Sequence, residues 1–338
     1  MTKRRNIILI TLAACLIGSV LTVYHVFFSN CVRGDDSERY LYIRPDQGLD
    51  YIRQSLSEMG VRTTGFGLLQ RVLGYDIRRG RYAIRKGDNI LTIFRRLRNG
   101  QQEPVMLTIP SVRTVDRLAG YLSHHLMLDS LNIIDAFTDS TNLARFGIIP
   151  PDMLLTVFLP NTYEVYWTLS TDDLLKRMQQ ENRKFWNGDR EQKANDMDMK
   201  KEEVIILASI IDEETANDAE KPMVAGMYIN RLRQNMPLQA DPTVKFALGD
   251  FSLRRIYQKH LTIDSPYNTY RNTGLPPGPI RIASVAGIDA VLNYVHHDFL
   301  YMCAKEDFSG THNFARTYAE HLQNARRYTQ ALNQRNVR

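Results

Sequence analysis

The chain opens on one long apolar run and then breaks into short alternating and helix-periodic segments. From Asn6 to Val32 no Asp, Glu, Lys or Arg interrupts it, and the apolar centre runs from Ile7 to Phe28. That length spans a bilayer as a helix. Lys3, Arg4 and Arg5 are the basic cluster that precedes it. Positive charge on that side keeps the N-terminus in the cytoplasm and sends the remainder across the membrane. Two alternatives stay open. A cleaved signal peptide would have a shorter apolar region ending in small residues, whereas this one ends Tyr24-His25-Val26-Phe27-Phe28. Lipidation of Cys15 is suggested by Leu12-Ala13-Ala14-Cys15, but the apolar run continues well past that cysteine.

After a polar linker, Arg33 to Glu38, Tyr40–Arg44 alternates as a strand. Tyr51–Met59 has helical spacing, with Asp50 as a possible cap and Gly60 as its stop, and Leu68–Tyr75 is a second helix candidate. Gly80–Asp88 reads as a strand and a Lys-Gly-Asp turn. Asn89–Gly100 follows as an amphipathic helix with Ile90, Ile93, Phe94 and Leu97 on one face. This strand–turn–helix resembles a LysM-type glycan-binding unit, and a plain strand–helix packing unit explains it equally well. Further on, Val105–Pro110 predicts a strand. Val115–Leu126, Asp129–Asp139 and Asp172–Trp186 predict helices, and Phe158–Glu164 a strand edge or turn. Asn187–Lys200 is polar enough to be a loop or an exposed helix.

Ile206–Ala216 is the most informative stretch. As a helix it sets Glu214 in line with Ile211, Ile210 and Leu207, three, four and seven residues back on one stripe. A carboxyl group among aliphatic side chains is poorly solvated in its charged form, so it holds its proton toward neutral pH. That is the requirement on a general acid for cleaving a glycosidic bond. The competing reading is an ordinary solvated run of acids, Asp212-Glu213-Glu214, at a helix end.

Charge and cysteine usage narrow the field. A net charge of +6, half of it from Lys3, Arg4 and Arg5, is too weak to argue nucleic-acid binding. Cys15, Cys31 and Cys303 form neither a disulfide framework nor a metal spacing. The pairs His124-His125 and His296-His297 read as surface or interface residues, and Cys303 as a small buried one. No cofactor and no metal is expected. No GxSxG or HExxH motif supports an esterase or a zinc protease.

Downstream of Glu214 the sequence supplies residue types suited to a sugar groove. Asn230, Gln239, Asn268 and Thr269 can bond hydroxyl and N-acetyl groups, and Tyr267 and Tyr270 offer flat faces with polar tips. Gly274–Pro279 makes a stiff wall. Each has a structural reading too: Asn230 could tie down a loop, and Asp241-Pro242 could simply open a helix.

These segments, in this order, carry a resemblance. Leu207–Thr215, Ile229–Leu232, Leu238–Val244, Tyr267–Tyr270, Gly274–Gly278, Pro160–Glu164 and His312–Phe314 are similar to the motifs of the YceG-like endolytic murein (lytic) transglycosylases. The resemblance covers nearly the whole chain. It implies an inner-membrane enzyme, with a single pass and an external catalytic domain. Such an enzyme cuts nascent peptidoglycan strands internally between N-acetylmuramic acid and N-acetylglucosamine, leaving 1,6-anhydro ends and helping to terminate strand elongation. It also implies partners among peptidoglycan synthases. The family's Glu-x-Glu-Thr reads Asp212-Glu213-Glu214-Thr215 here, which favours Glu214 as the acid and leaves Asp212 as the lesser alternative. The implied substrate-binding set is Asn230, Gln239, Asp241, Tyr267, Asn268, Thr269, Tyr270 and His312. Asp241 is also the carboxylate that a muramidase-type hydrolase would need, and a non-catalytic wall-binding scaffold is the alternative from another class. The expected architecture is α+β. It has a cytoplasmic stub over residues 1–5, a membrane helix over 6–28, a LysM-like subdomain over 38–104 and a mixed catalytic domain over 105–338.

Overall fold

The computed structural model describes residues 2–33, 38–74, 76, 78–253 and 255–334. Helices and short strands are mixed along the chain, and they gather into two compact units. Unit 1 comprises Met1–Leu107 with His125–Met127 and Glu164–Leu169. Unit 2 comprises Thr108–His124, Leu128–Tyr163 and Ser170–Arg338.

Unit 1 begins with α1 (Thr2–Phe27). Over Lys3–Phe27 it is long and apolar enough to cross a membrane, with a mean hydropathy of 2.4 and nothing packed against its central span. Then come β1 (Arg39–Ile43), α2 (Leu49–Glu58), α3 (Phe66–Leu73), β2 (Gly80–Ile84) and α4 (Ile90–Arg98). β1 and β2 pair antiparallel, Arg39 opposite Ile84 and Ile43 opposite Gly80. α4 buries the four residues its spacing selected, Ile90, Ile93, Phe94 and Leu97. Asn89 caps it, its side chain accepting from the Thr92 amide at 2.8 Å. Asp88 in the preceding turn is held by Arg96 at 2.6 Å, both largely buried. The strand–turn–helix is therefore present, and its strand partner lies earlier in the chain.

The end of the apolar run differs from its reading as membrane flank. Cys31 and Val32 are buried in the core of unit 1, beside Leu41, Ile52, Leu56 and Phe66. The Cys31 amide donates to Asp88 O at 3.0 Å, and the Arg62 amide donates to Cys31 O at 2.8 Å. Arg62 also closes the end of α1, its Nη2 donating to His25 O at 2.8 Å and to Ser29 Oγ at 2.7 Å. A cation there suits the negative end of a helix. Of the polar linker, residues 34–37 lie outside the described residues, as does Tyr75 at the end of the second helix candidate. α2 starts at Leu49 behind Gly48, so Asp50 is inside the helix and caps nothing.

β3 (Val105–Thr108) pairs with a strand reached after α5 (Val115–His125), α6 (Ser130–Thr138) and α7 (Ser140–Ala144). A 3-10 turn, Pro151–Val157, leads into that strand, β4 (Thr162–Val165). α8 (Thr171–Phe185) follows. The polar stretch after it folds as α9 (Asp189–Asp196), which buries Ala194. Next come α10 (Lys201–Glu214), α11 (Lys221–Arg233), α12 (Asp241–Leu248), α13 (Val285–Leu292), the hairpin β5 (Tyr301–Ala304) and β6 (His312–Ala315), and α14 (Tyr318–Gln334).

α10 is the axis of unit 2. Its eight residues from Val204 to Ile211 are all buried, so the helix is enclosed on every side rather than along one stripe. α11 and α13 pack on it, with Val224, Ala225, Ile288 and Val291 in the same core. Two glycines permit the closest approaches. A Cβ on Gly226 of α11 would lie 2.3 Å from Val295 O, and one on Gly287 of α13 would lie 2.6 Å from Asp212 Oδ1. His297 of the second histidine pair is half-buried against Met223 O at 2.9 Å, and Cys303 is only partly buried.

Candidate active site

The enclosed helix ends in three consecutive acids, and their surroundings separate them. Asp212 points into the protein: Lys221 Nζ lies 2.7 Å from Oδ1, with the two side chains 7% and 3% exposed. The Ser284 amide and hydroxyl donate to the same carboxylate at 2.6 and 2.8 Å, which fixes it at the start of α13. Glu213 is held by Arg113 at 2.7 Å and by Arg281 at 3.0 Å. Glu214, the last residue of α10, has no ion-pair partner among the described residues. Its Oε1 accepts a hydrogen bond from Tyr228 Oη at 2.7 Å.

Burial pushes the Glu214 carboxyl up to about 7; the Tyr228 bond pulls it down, and the charge of Asp241 pushes it further up. The first cause wins because one neutral donor and the charge of Lys245, which acts without an ion pair to Glu214 among the described residues, do not make up for the lost hydration. Burial and the neighbouring Glu214 drive the Tyr228 phenol well above its ordinary range, so it stays a donor.

Glu214 lines an open cavity of about 340 Å³. The opposing residues come from α11 (Tyr228, Arg231), the turn before α12 (Gln239), the first residue of α12 (Asp241), Tyr270, the β5–β6 hairpin and the start of α14. Four of the residues singled out in the sequence meet Glu214 here: Gln239, Asp241, Tyr270 and His312. Asp241 is the first helical residue of α12, and its Oδ1 accepts from Tyr270 Oη at 2.6 Å. Gln239 has a left-handed backbone, φ 54°. Its Oε1 accepts from Arg231 at 3.3 Å. His312 is oriented by Glu220, itself 8% exposed. The Glu220 carboxylate accepts from the His312 amide at 2.6 Å and from Nδ1 at 2.9 Å. A carboxylate only accepts, so the proton sits on Nδ1 and Nε2 is the nitrogen left over. Thr215, next to the acid, donates to the same Glu220 at 3.1 Å.

The other four lie outside the cavity. The Asn230 amide is occupied by His297 O at 2.6 Å and Phe299 O at 3.1 Å, which straps the segment between α13 and β5 to α11. Asn268 is fully buried and donates to Leu261 O and Ile263 O, both at 2.9 Å. Thr269 accepts from the Ala240 amide at 3.0 Å and so shapes the turn that carries Gln239 and Asp241. Tyr267 packs on Phe246 and donates to Asp152 at 2.8 Å. Gly274–Pro279 does not line the cavity either; Gly278 packs where a Cβ would meet Asp152 O at 2.3 Å.

Tyr228, Arg231 and Glu220 were missed. Tyr228 and Arg231 are three apart and share one face of α11, but nothing in the sequence of a largely buried helix marks a tyrosine as polar-facing. Glu220 is identifiable only through His312, ninety-two positions away.

The YceG-like family model matches residues 41–327. A Bacillus subtilis (strain 168) protein named endolytic murein transglycosylase is 31% identical over 272 residues, 76% of this chain and 74% of that protein. A Streptococcus pneumoniae (strain R6) protein of the same name is 25% identical over 333 residues, 88% of this chain; this chain spans 60% of that relative's length. The crystal structure of a YceG-like protein from Listeria monocytogenes shares the fold, with a TM-score of 0.58 and 24% identity over 86% of this chain and 99% of that one. A chain matched over most of its length by one family model belongs to that family: this protein is a member of the YceG-like family.

Proposed function

We propose that the protein is an endolytic peptidoglycan lytic transglycosylase and that Glu214 is its general acid and base. One observation carries this: a carboxyl pushed by burial up to about 7 at the wall of an open cavity, with no ion-pair partner among the described residues. Its relatives bear the name of that activity.

In this mechanism the Glu214 acid protonates the oxygen that links N-acetylmuramic acid to N-acetylglucosamine as the bond breaks. The oxocarbenium charge is met by the sugar's own N-acetyl carbonyl and by cavity dipoles. Glu214, now a carboxylate steadied by Tyr228, takes the proton of the sugar's C6 hydroxyl. That oxygen closes onto C1, and the anhydro ring forms without water. Gln239, Asp241, Tyr270 and His312 bind the flanking sugars. Asn268, Thr269 and Asn230 serve by fixing the turn and loop around them, and Tyr267 by packing outside the cavity.

The same reading has the chain as a single-pass inner-membrane protein with its N-terminus cytoplasmic and everything after α1 outside. Its LysM-like strand–turn–helix adds glycan contact, and its cuts limit strand elongation beside peptidoglycan synthases. Asp241 favours one second reading, a muramidase, because it is another carboxylate in the same cavity.

The test is mass spectrometry of the products released from purified glycan strands by the full-length protein in detergent. Anhydromuramyl ends from the wild type and none from Glu214→Gln are expected. Reducing ends that vanish in Asp241→Asn would establish the hydrolase instead. Cleavage unchanged in Glu214→Gln would remove Glu214 from the mechanism.

A further inference from the structure

Among the residues that line the cavity, Arg231 is the one arginine or lysine. It is 5% exposed and has no carboxylate partner among the described residues. Its Nε donates to Leu300 O at 2.7 Å, and its Nη1 to Pro237 O at 3.0 Å and Leu238 O at 2.7 Å. These bonds hold the guanidinium still and leave Nη2 with no partner among the described residues. The titratable side chains that bear on it are phenols, Tyr228, Tyr301 and Tyr270, rather than carboxylates. A buried cation without a counter-charge is costly, and an anion arriving from solution relieves that cost.

The wall beside it is aromatic. The Arg231 guanidinium lies 5.3 Å from the Tyr301 ring centre. Tyr301 stacks on His321 at 5.5 Å and 28°, and His321 on Tyr318 at 6.1 Å and 30°. Tyr318 is 60% exposed, so one large flat face is open. Burial and the Arg231 charge hold His321 below the ordinary histidine range, which leaves it a neutral ring and Arg231 the fixed positive charge. A flat aromatic face takes a pyranose ring, and a planar guanidinium takes a carboxylate.

We propose that Arg231, with the Tyr301–His321–Tyr318 platform beside it, is a subsite for a sugar unit of the strand that carries a carboxylate. This rests on the cavity being the glycan-cleaving site. The carboxylate has two sources. In peptide-free strands it is the lactyl group of muramic acid itself. In peptide-bearing strands that group is an amide, and the carboxylates belong to the stem peptide.

The experiment uses full-length Glu214→Gln protein in detergent and isothermal titration with three tetrasaccharides. One is the neutral N-acetylglucosamine oligomer, one a peptide-free murein fragment and one a peptide-bearing fragment. A carboxylate-bearing ligand should bind at least about tenfold tighter than the neutral oligomer, and its preference should collapse in an additional Arg231→Gln change. The tighter of the two acidic ligands identifies the source. Should Arg231→Gln fail to fold, salt decides: raising it should erode binding of the acidic ligand and leave the neutral oligomer unaffected. Tyr318→Ala should weaken all three ligands together. Equal affinity for the three, insensitive to salt, overturns the subsite whether or not the wild type cleaves strands. A persistent acidic preference in a protein whose wild type cuts nothing overturns the cleavage reading and leaves the subsite standing.

Discussion

In the proposed mechanism the proton on Glu214 governs chemistry as well as stability. Replacing it with Gln should cut strand cleavage by at least about a hundredfold, the scale of a lost general acid. The pH sign follows from its raised position: the folded protein holds the proton between the usual carboxylate range and about pH 7, where an unfolded chain has released it. The folded state therefore binds more protons in that window, and stability falls as pH rises through it. Glu214→Gln should accordingly gain stability relative to the wild type by up to about 3 kcal/mol on going from pH 4 to pH 8, a shift of roughly two and a half pH units converted directly. Denaturant titrations of both proteins at the two pH values check this, and an unchanged difference would contradict the protonated carboxyl. Tyr228→Phe removes the bond that favours the carboxylate. The alkaline limb of its pH–rate profile should move upward, whereas a change in amplitude alone would mean that Tyr228 only fills space.

At the scale of elements, the acids on either side of the helix axis do structural work. Asp212 ties α10 to α11 through Lys221 and to α13 through Ser284. Asp212→Ala would leave Lys221 with only the exposed Asp218, and it should cost about 2–4 kcal/mol, a little below the usual loss for breaking a buried pair. Urea unfolding measures it, and a cost under about 0.5 kcal/mol, the range of a surface change, would show the pair to be idle. Periodicity identified most of these elements. The strand, turn and helix of Gly80–Gly100 and the acid-ended helix could be read because apolar spacing and glycine stops are local signals. What side chains do across the fold was less legible. Asn230, Asn268 and Thr269 are the polar types a sugar groove uses, yet they bond carbonyls and amides of their own loops, and no local pattern separates the two uses. Tyr228 lines the site and Glu220 backs it through His312 only because α11 and the β5–β6 hairpin meet there, which is a tertiary fact. The stripe of Leu207, Ile210 and Ile211 is buried as read, but the burial extends around the whole helix because unit 2 wraps it and the sequence around Ser209 is apolar on all sides.

For the whole molecule, the apolar leader and unit 1 are one piece of architecture. Cys31 and Val32 fill the core of unit 1, and Arg62 holds the end of α1. A protein begun at Arg33 should therefore lose stability in unit 1 relative to one begun at Ser29. The expected loss is about 2 kcal/mol or more from the apolar burial alone. Thermal unfolding of the two compares them directly, and equal melting would show that those residues are dispensable.

The last turn of α10 has a further consequence. A helix end carries partial negative charge, and three acids crowd this one. Lysine neutralises Asp212 and two arginines neutralise Glu213. Glu214 feels Lys245 but has no ion pair among the described residues, so its counter-ion is the hydrogen ion itself, the one that the proposed mechanism also hands to a substrate. A permanent cation brought within reach of that carboxyl would evict it, and the enzyme would be switched off with every residue of its site still in place.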